Sequence, residues 1–305
     1  MKADRLPDAE LAAQTALMEQ LAAMLPGIPP RDLPRFAASL GAAEPYALGP
    51  DSMQQPGVAR GVLVARGCAP GLIYPGVAHD VSLYVSAQVD AGQPAALMVF
   101  QDGARYLGPE VEAPTVLDNL VAQGVLPPLV AVFVNPGETG PGLPIYGGND
   151  NRSTEYDSVG DTYVRFLLDE VLPVATQGLN ISADPARRAI VGLSSGGACA
   201  FNAAWERPDV FGKVVAHCGS FVDIRGAHAL APAVRRSEPK PLRVFLQTGE
   251  HDLDIVFGRW VEANRELAAA LAYRGYDHRL VVGKGGHSLK HGGAIFPDTL
   301  RWLWR

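Results

Sequence analysis

The sequence predicts an α/β domain with a mostly parallel central β-sheet and helices on both of its faces. Apolar, β-branched runs typical of buried strands alternate with helical patterns from residue 96 to residue 304. Ahead of them, residues 77–85 include alternating apolar and polar side chains, which predicts a half-buried strand in an antiparallel entry to the sheet. A tight glycine-containing turn joins the strand at 188–193 to the helix at 196–206, which is the strand-turn-helix order of such a domain.

The predicted elements keep this rhythm along the chain. The antiparallel entry covers residues 61–66 and 77–85. The later strands are predicted at 96–100, 129–134, 188–193, 213–217, 242–248 and 279–282, and the helices at 115–123, 161–175, 196–206, 257–274 and 294–304. Ser158 and Asp161 have the spacing of a capping box at the start of the helix 161–175.

The first 57 residues form a separate unit in this prediction. Residues 8–25 have a helical repeat of leucines that Asp8 can cap, and a connector rich in proline and glycine follows to about Gly57. We therefore divide the chain into an N-terminal helical arm with its connector (1–57) and a main domain (58–305). Nothing in the arm predicts chemistry. It would pack on its own domain or on a partner chain, and the second arrangement would make a homo-oligomer.

Composition limits the classes of partner. Hydrophobic residues make up 48% of the 305 residues, enough for a sizeable core, and the net charge of −6 argues against nucleic acid or an anionic membrane as partner. No apolar run reaches the length of a membrane span. The N-terminus has no uninterrupted apolar region, so we expect a cytoplasmic protein, although a mature exported chain given a new Met would look the same. The three cysteines suggest no disulfide framework.

A candidate nucleophile lies in the turn at 192–196, which reads Gly-Leu-Ser-Ser-Gly. A serine at the tip of a tight strand-to-helix turn projects its hydroxyl above the sheet edge, and its neighbours must be small, so the pattern favours Ser194 as the nucleophile. Ser195 is the alternative, but in its register a glycine is missing on one side. The N–H of Ser195, at the start of the helix, would point at a developing oxyanion.

A serine nucleophile needs a base and an orienting carboxylate, which follow it in chain order in this architecture. His287 stands in a glycine-rich loop directly after a predicted strand and is the candidate base, with His291 as the alternative. The spacing of these two histidines could suit a metal, but neither a helix nor a third ligand accompanies them, so we predict no metal site. The candidate acid is Asp252, and Asp254 and Glu250 stay open because spacing barely separates them.

Further candidate groups come from loops at the carboxyl ends of strands, where α/β sheets bind ligands. A second oxyanion donor is expected after the strand at 96–100, from the N–H of Gly103 or Ala104. The long irregular segments 135–160 and 219–240 are expected to be walls of the substrate cleft. The candidate substrate-binding residues in this region are Asp102, Arg152, Glu155 and Tyr156. Arg152 and Glu155 could equally form an ion pair that holds the loop.

These motifs together resemble the esterase D and enterochelin-esterase-like branch of the α/β-hydrolases, which also includes feruloyl and acetylxylan esterases and the mycolyltransferases. The resemblance covers residues 74–305. It depends on the Phe-Gln-Asp-Gly run at 100–103, Asn-Arg-Ser-Thr-Glu-Tyr-Asp at 151–157, the turn at 192–197, Trp-Glu-Arg-Pro at 205–208 and the Gly-Gly-His-Ser loop at 285–288. It implies an α/β-hydrolase fold, with Ser194, His287 and Asp252 as the triad and the amides of Ser195 and Gly103 or Ala104 as the oxyanion hole.

The function predicted from the sequence is that of a serine esterase acting through an acyl-enzyme, with no cofactor or metal. The expected partner is a small-molecule or carbohydrate ester, including aryl (feruloyl-type) and siderophore-type esters. An acyltransferase that uses the same triad with an alcohol or sugar acceptor is the first alternative. A non-catalytic binding protein on a hydrolase scaffold is the second.

Overall fold

The computed structural model describes residues 15, 16, 18–23, 25, 27–137, 139 and 151–305. The strands within this part of the chain are β1 (Val62–Ala65), β2 (Val81–Val85), β3 (Ala96–Gln101), β4 (Leu129–Val134), β5 (Arg188–Leu193), β6 (Lys213–His217), β7 (Arg243–Gly249), β8 (Asp254–Ile255), β9 (Gly258–Arg259) and β10 (Asp277–Gly283). Eight of them form one sheet in the order β1-β2-β4-β3-β5-β6-β7-β10, and β8 pairs with β9 in a short ribbon.

The sheet has the predicted mixture of strand directions. β1 and β2 are antiparallel, and β2 is antiparallel to β4. All the remaining pairs of the main sheet, from β4 through β3, β5, β6 and β7 to β10, are parallel. The carboxyl ends of β3, β5, β7 and β10 therefore lie along the same edge of the sheet, where ligand sites of such folds form.

Helices lie on both faces of this sheet. They are α1 (within residues 18–23), α2 (Leu33–Leu40), α3 (Gly103–Leu107), α4 (Ala113–Ala122), α5 (Arg152–Tyr156), α6 (Thr162–Phe166), α7 (Leu172–Ala175), α8 (Ser195–Glu206), α9 (Leu230–Arg236), α10 (Trp260–Tyr273), α11 (Lys290–Ala294) and α12 (Phe296–Leu303), with short 3-10 turns at Pro30–Asp32, Pro50–Ser52, Pro185–Arg187 and Ala227–Ala229. Among the described residues, no helix combines the length and the apolar character that crossing a bilayer requires.

The two core layers explain why the central strands read as continuous apolar runs. In β3, Leu97 and Val99 belong to the cluster on one face, whereas Met98 and Phe100 belong to the cluster on the other. Every residue of β3 is buried, because helices cover both faces.

Two local predictions are wrong in detail. The single helix expected at 161–175 is divided by a π-helical turn at Leu167–Val171. Pro173 follows this turn and cannot donate to the carbonyl four residues earlier, so the widened turn accommodates its ring. The capping box is not formed either: the Asp161 side chain makes no capping bond and instead pairs with Arg165 at 3.1 Å.

Short helices also occur where irregular chain was expected. α2 lies in the connector, α5 in the segment 135–160 and α9 in the segment 219–240. Each has only five to eight residues. Such helices are stabilised by burying a few side chains against the domain, as α9 buries Leu230 and Val234, rather than by a long sequence periodicity.

Candidate active site

The predicted nucleophile lies at a strained turn between β5 and α8. Ser194 has φ 58° and ψ −122°, a conformation that side chains rarely adopt, and its N–H donates to the carbonyl of His217 at 2.8 Å. A Cβ atom on Gly192 would overlap the carbonyl of Gly196, and one on Gly196 would lie 2.8 Å from Asp102 Oδ2. Both flanking glycines are therefore required by the close packing of the turn.

Loops after β7 and β10 bring an imidazole and a carboxylate to this serine. His287 Nε2 lies 2.8 Å from Ser194 Oγ, and His287 Nδ1 lies 2.6 Å from Asp252 Oδ1. Asp252 is 6% exposed, and it also accepts hydrogen bonds from the Thr248 hydroxyl (2.7 Å) and the Leu253 N–H (2.8 Å). These bonds fix the carboxylate so that one oxygen faces the histidine.

The alternatives considered from the sequence lie elsewhere. Asp254 is exposed and its Oδ2 lies 3.8 Å from Arg35 Nη1, and Glu250 is exposed. His291 stacks on Tyr46, with ring centroids 4.1 Å apart, and lies 3.2 Å from Gln247 Nε2 through its Nδ1. The structure thus brings Ser194, His287 and Asp252 together and leaves their rivals apart.

Two residues that the sequence did not suggest complete the surroundings of the serine hydroxyl. Ser220 Oγ lies 3.2 Å from Ser194 Oγ and accepts the indole N–H of Trp260 at 3.0 Å. The Trp260 ring also packs edge-on against His287, with centroids 6.0 Å apart. With the Ser194 proton directed at His287, the Ser220 hydroxyl can donate to Ser194 Oγ. Nothing in the local sequence of either residue signals this contact, since only the fold brings them to the turn that carries Ser194.

Two helix N-termini offer amides beside the serine. Gly103 and Ser195 are the first residues of α3 and α8, and the N–H groups in the first turn of a helix have no acceptor within the helix. The residue before each helix, Asp102 or Ser194, has a positive φ. The Ala104 N–H donates to Asn135 Oδ1 at 2.9 Å, which corrects the open choice between Gly103 and Ala104: the Ala104 amide is already engaged.

A cavity of about 580 Å³ opens above Ser194 and His287. The main domain contributes Asp102, Arg105, Glu110, Arg152, Leu193, Ser288 and Lys290 to its lining, and the N-terminal segment contributes Leu21, Leu25, Phe36 and Leu40. Of the two segments expected to form the walls, 135–160 supplies Arg152, while 219–240 supplies none of the described lining residues. The N-terminal segment takes that place. Residues 138 and 140–150 lie outside the described part of the chain.

Asp102 and Arg152 form a bidentate ion pair in the cavity lining. Arg152 Nε and Nη2 donate to the two carboxylate oxygens of Asp102, each at 2.9 Å. Burial alone would lower the pKa of the Arg152 guanidinium, but the adjacent Asp102 carboxylate raises it overall, so this arginine stays charged. The bidentate geometry fixes both side chains beside the nucleophile.

The expectation that Glu155 and Tyr156 contact the substrate needs correction. Both are almost fully buried behind the cavity and neither is among the residues that line it. Glu155 forms hydrogen bonds with His79 Nε2 at 2.8 Å and with the Gly137 N–H at 3.1 Å, so it does not pair with Arg152, which bonds to Asp102 instead. The Tyr156 hydroxyl accepts the Asp102 N–H at 3.2 Å and donates to the Val134 carbonyl at 3.3 Å, which supports the turn that precedes α3.

Asp157 is a further buried carboxylate close to the site, with the Ser153 and Ser195 hydroxyls and the Arg152 charge near it. Burial raises the pKa of Asp157 to about 6, against the opposing effect of the Arg152 charge. Because the folded-state pKa is raised, the native state binds the extra proton, and stability falls as the pH rises from about 4 through 6.

We therefore expect Asp157→Asn to stabilise the protein at pH 8, by at most about 3 kcal/mol, and to have little effect at pH 4. Thermal unfolding measured across this range tests the expectation, with the exposed Asp298→Asn as the matched control. A variant that is less stable than wild type at pH 8 would contradict it.

Cys218 lies beneath the hydrogen-bonded chain of Asp252, His287 and Ser194, here called the relay. Its Sγ is within 4.8 Å of a carboxylate oxygen of Asp252 and a ring nitrogen of His287. Burial raises the pKa of the Cys218 thiol, which keeps it protonated, and its Sγ contacts the Ser288 carbonyl at 3.5 Å. The Asp252 and His287 atoms already bond to each other. These contacts fit a protonated thiol packed beneath the relay better than a metal ligand, because a cysteine that binds a metal is ionised.

Comparisons with known proteins identify the family of the chain. The family model described as "Putative esterase" matches residues 78–303. The iron(III) enterobactin esterase of Dickeya dadantii (strain 3937) is 29% identical over 238 residues, which cover 72% of this chain and 50% of that protein. The uncharacterized protein YbbA of Bacillus subtilis (strain 168) is 24% identical over 231 residues, which cover 72% of this chain and 89% of that one. The chain thus spans about half the length of the curated enterobactin esterase.

Solved structures show the same fold. The enterobactin esterase FES from Shigella flexneri, determined in the presence of enterobactin, superposes with a TM-score of 0.64 at 20% identity, covering 82% of this chain and 60% of that one. A ferulic acid esterase superposes with a TM-score of 0.64 at 17% identity, covering 81% of this chain and 99% of that one. The predicted α/β-hydrolase fold is confirmed. Because the family model spans well over half of the chain, the protein belongs to the putative esterase family.

Proposed function

We propose that the protein is a serine esterase that hydrolyses a carboxylic ester through an acyl-enzyme. The observation that carries the proposal is the continuous hydrogen-bonded relay from Asp252 through His287 to Ser194, at 2.6 Å and 2.8 Å, which ends in the cavity. A carboxylate, an imidazole and a hydroxyl in this order form the arrangement that activates a serine for attack on a carbonyl.

The mechanism follows from these contacts. Ser194 Oγ attacks the ester carbonyl while His287 Nε2 takes its proton. The amides of Ser195 and Gly103 stabilise the negative oxygen of the tetrahedral intermediate. His287 then delivers the proton to the leaving alcohol, which leaves Ser194 acylated. A water molecule, deprotonated by His287, attacks the acyl group in the second half-reaction. His287 then returns this proton to Ser194 Oγ as the acid is released. Asp252 holds the imidazole in the required tautomer and stabilises its charged form.

The substrate class is part of the proposal. The relatives include an enterobactin esterase and a ferulic acid esterase, which supports an aryl or siderophore-type ester, and a carbohydrate ester remains within the same class. The cavity volume of about 580 Å³ lies within the range of pockets that bind small organic molecules.

The test is a panel of esters assayed with the full chain, together with labelling by a fluorophosphonate. The panel contains p-nitrophenyl esters of increasing acyl length, methyl ferulate, acetylated sugars and a catecholate trilactone. Hydrolysis of a panel member with labelling of Ser194 is the expected result. If the fluorophosphonate labels the protein but an acylated product forms only when an alcohol or sugar acceptor is added, the result would favour the acyltransferase. Failure to label would favour a non-catalytic binding protein.

A further inference from the structure

The described residues from 21 to 46, here called the arm, lie outside the residues that the family model matches and pack against the candidate active site. Its buried side chains form a cluster with residues next to the relay, namely Leu21, Leu25, Ile28, Leu33 and Phe36 of the arm with Val222, Leu253, Ile255 and Trp260 of the main domain. Leu253 follows Asp252 directly, and Trp260 packs on His287. The arm therefore packs on Leu253 and Trp260, the residues that adjoin Asp252 and His287.

The arm also supplies most of the apolar lining of the cavity. Leu21, Leu25, Phe36 and Leu40 face the same space as Ser194 and His287, and Leu193 is the remaining aliphatic side chain among the lining residues. Leu21, Leu25 and Phe36 are at least 92% buried, whereas Leu40 at the end of α2 is 48% exposed. Leu40 is therefore half-exposed beside the cavity, where an apolar group can cover it.

We propose that the arm's side of the cavity is a substrate subsite that binds an apolar group of the ester. This inference deepens the proposed esterase function and rests on it. Removing the apolar group and the exposed surface of Leu40 from water together favours binding in proportion to the area buried. The apolar group belongs to the acyl part or to the alcohol part of the ester, and the assay separates the two.

The experiment compares wild type with Leu40→Ala and Leu21→Ala on two series of esters. One series lengthens the acyl chain of p-nitrophenyl esters from acetate to octanoate, and the other lengthens the alcohol of acetate esters from methyl to octyl. Leu63→Ala is the matched control, because Leu63 is 47% exposed on the edge strand β1 at the far side of the sheet.

In one of the two series, the preference for the long ester over the short one is expected to fall about five- to tenfold in Leu40→Ala and Leu21→Ala, with the shortest ester little changed. Leu63→Ala should keep the wild-type preference. The series that responds identifies the acyl or the alcohol part. An unchanged preference in both series, with wild type active and Ser194→Ala inactive, overturns the subsite alone. A wild type that hydrolyses no member of either series overturns the esterase and the subsite together.

A separate set of hydrogen bonds ties the arm to the loops that carry the base and the acid. Ser39 Oγ accepts the N–H of His287 at 3.1 Å and donates to the carbonyl of His251 at 2.8 Å, so one hydroxyl joins the two loops. Glu44 Oε1 accepts the Ser288 hydroxyl at 2.7 Å and the Gly286 N–H at 3.3 Å. Tyr46 accepts the Lys284 N–H at 2.7 Å.

From these contacts we infer that Ser39 is a positioning residue, which sets the distance between His287 and Asp252 through their backbones. The two loops also bond directly, since the Glu250 N–H donates to the Gly283 carbonyl and the His251 N–H to the Gly285 carbonyl, each at 2.8 Å. Ser39 adds the bond at His287 itself, and a displacement of about 1 Å at a reacting group can cost about a hundredfold in rate. Ser86 offers a matched control: it is equally buried and its hydroxyl accepts the Leu129 N–H at 3.1 Å, away from the arm.

Ser39→Ala is expected to lower kcat about ten- to a hundredfold with KM changed less than about twofold, while Ser86→Ala keeps kcat despite a similar loss of thermal stability. Glu44→Gln serves as a second variant that keeps the side-chain shape, and a smaller loss of kcat in the same direction is expected. Equal kcat values in Ser39→Ala, Glu44→Gln and Ser86→Ala would reduce the arm's hydrogen bonds to a structural role. If the wild-type protein hydrolyses no ester at all, the result would instead contradict the proposed function.

Discussion

Replacing Ser194 with alanine should lower kcat/KM for any ester that the protein hydrolyses by about 10,000-fold or more. The substitution removes the atom proposed to attack the carbonyl, Oγ at 2.8 Å from His287 Nε2, and leaves the turn and its glycines unchanged. Hydrolysis rates with stopped-flow or extended assays, together with thermal unfolding, separate lost chemistry from lost folding. The unfolding temperature should stay close to that of wild type.

The matched control for this substitution is Ser195→Ala, the alternative nucleophile. Ser195 contributes a backbone N–H that alanine retains, and its hydroxyl is fully buried. Its loss should therefore cost far less activity. The nucleophile assignment is wrong if Ser194→Ala keeps a tenth of the wild-type rate or if Ser195→Ala is the inactive variant.

Asp252→Asn is expected to have the second largest effect, a loss of about 1,000- to 10,000-fold in kcat. An amide at this position presents a donor or a weaker acceptor to His287 Nδ1, so the imidazole loses the tautomer that accepts the serine proton. Because Asp252 also accepts bonds from Thr248 and Leu253, the asparagine keeps the shape but disturbs both contacts. The pH profile of kcat should change with it, since the charged imidazole is no longer stabilised.

Asp254→Asn provides the comparison, because Asp254 is the exposed rival only two residues away. It should retain wild-type kcat, as an exposed carboxylate near a single arginine contributes little. Inactivity of Asp254→Asn with an active Asp252→Asn would exchange their roles.

Local chemistry made the centre of the site predictable. The turn that carries Ser194 is too tight for side chains on its flanks, and the glycines on both sides of Ser194 show this requirement in the sequence. His287 was predictable because a glycine-rich loop after a strand can present an imidazole at the sheet edge. Asp252 could be chosen over Asp254 only by resemblance, since the two differ in burial, and burial depends on the whole fold.

Residues that act across long distances in the chain were not predictable. Ser39 and His287 are 248 positions apart, and nothing near either one signals the other. The same holds for Ser220 and Trp260 beside the nucleophile. Glu155 and Tyr156 were misjudged for a related reason: a polar side chain in a glycine-rich segment looks available to a ligand. Here Glu155 bonds to His79 and Tyr156 bonds to the backbone, and both are buried away from the cavity.

The contact between the glycines of the His287 loop and the arm has a consequence for how the protein loses activity. Gly285 and Gly286 lie so close to Glu44 and Ser39 that any side chain at either glycine would overlap the arm. We therefore expect the arm and this loop to open together, before the eight-stranded sheet unfolds. As denaturant is added, hydrolysis should disappear before the far-ultraviolet circular dichroism changes, and amide exchange in residues 33–46 and 284–288 should quicken together.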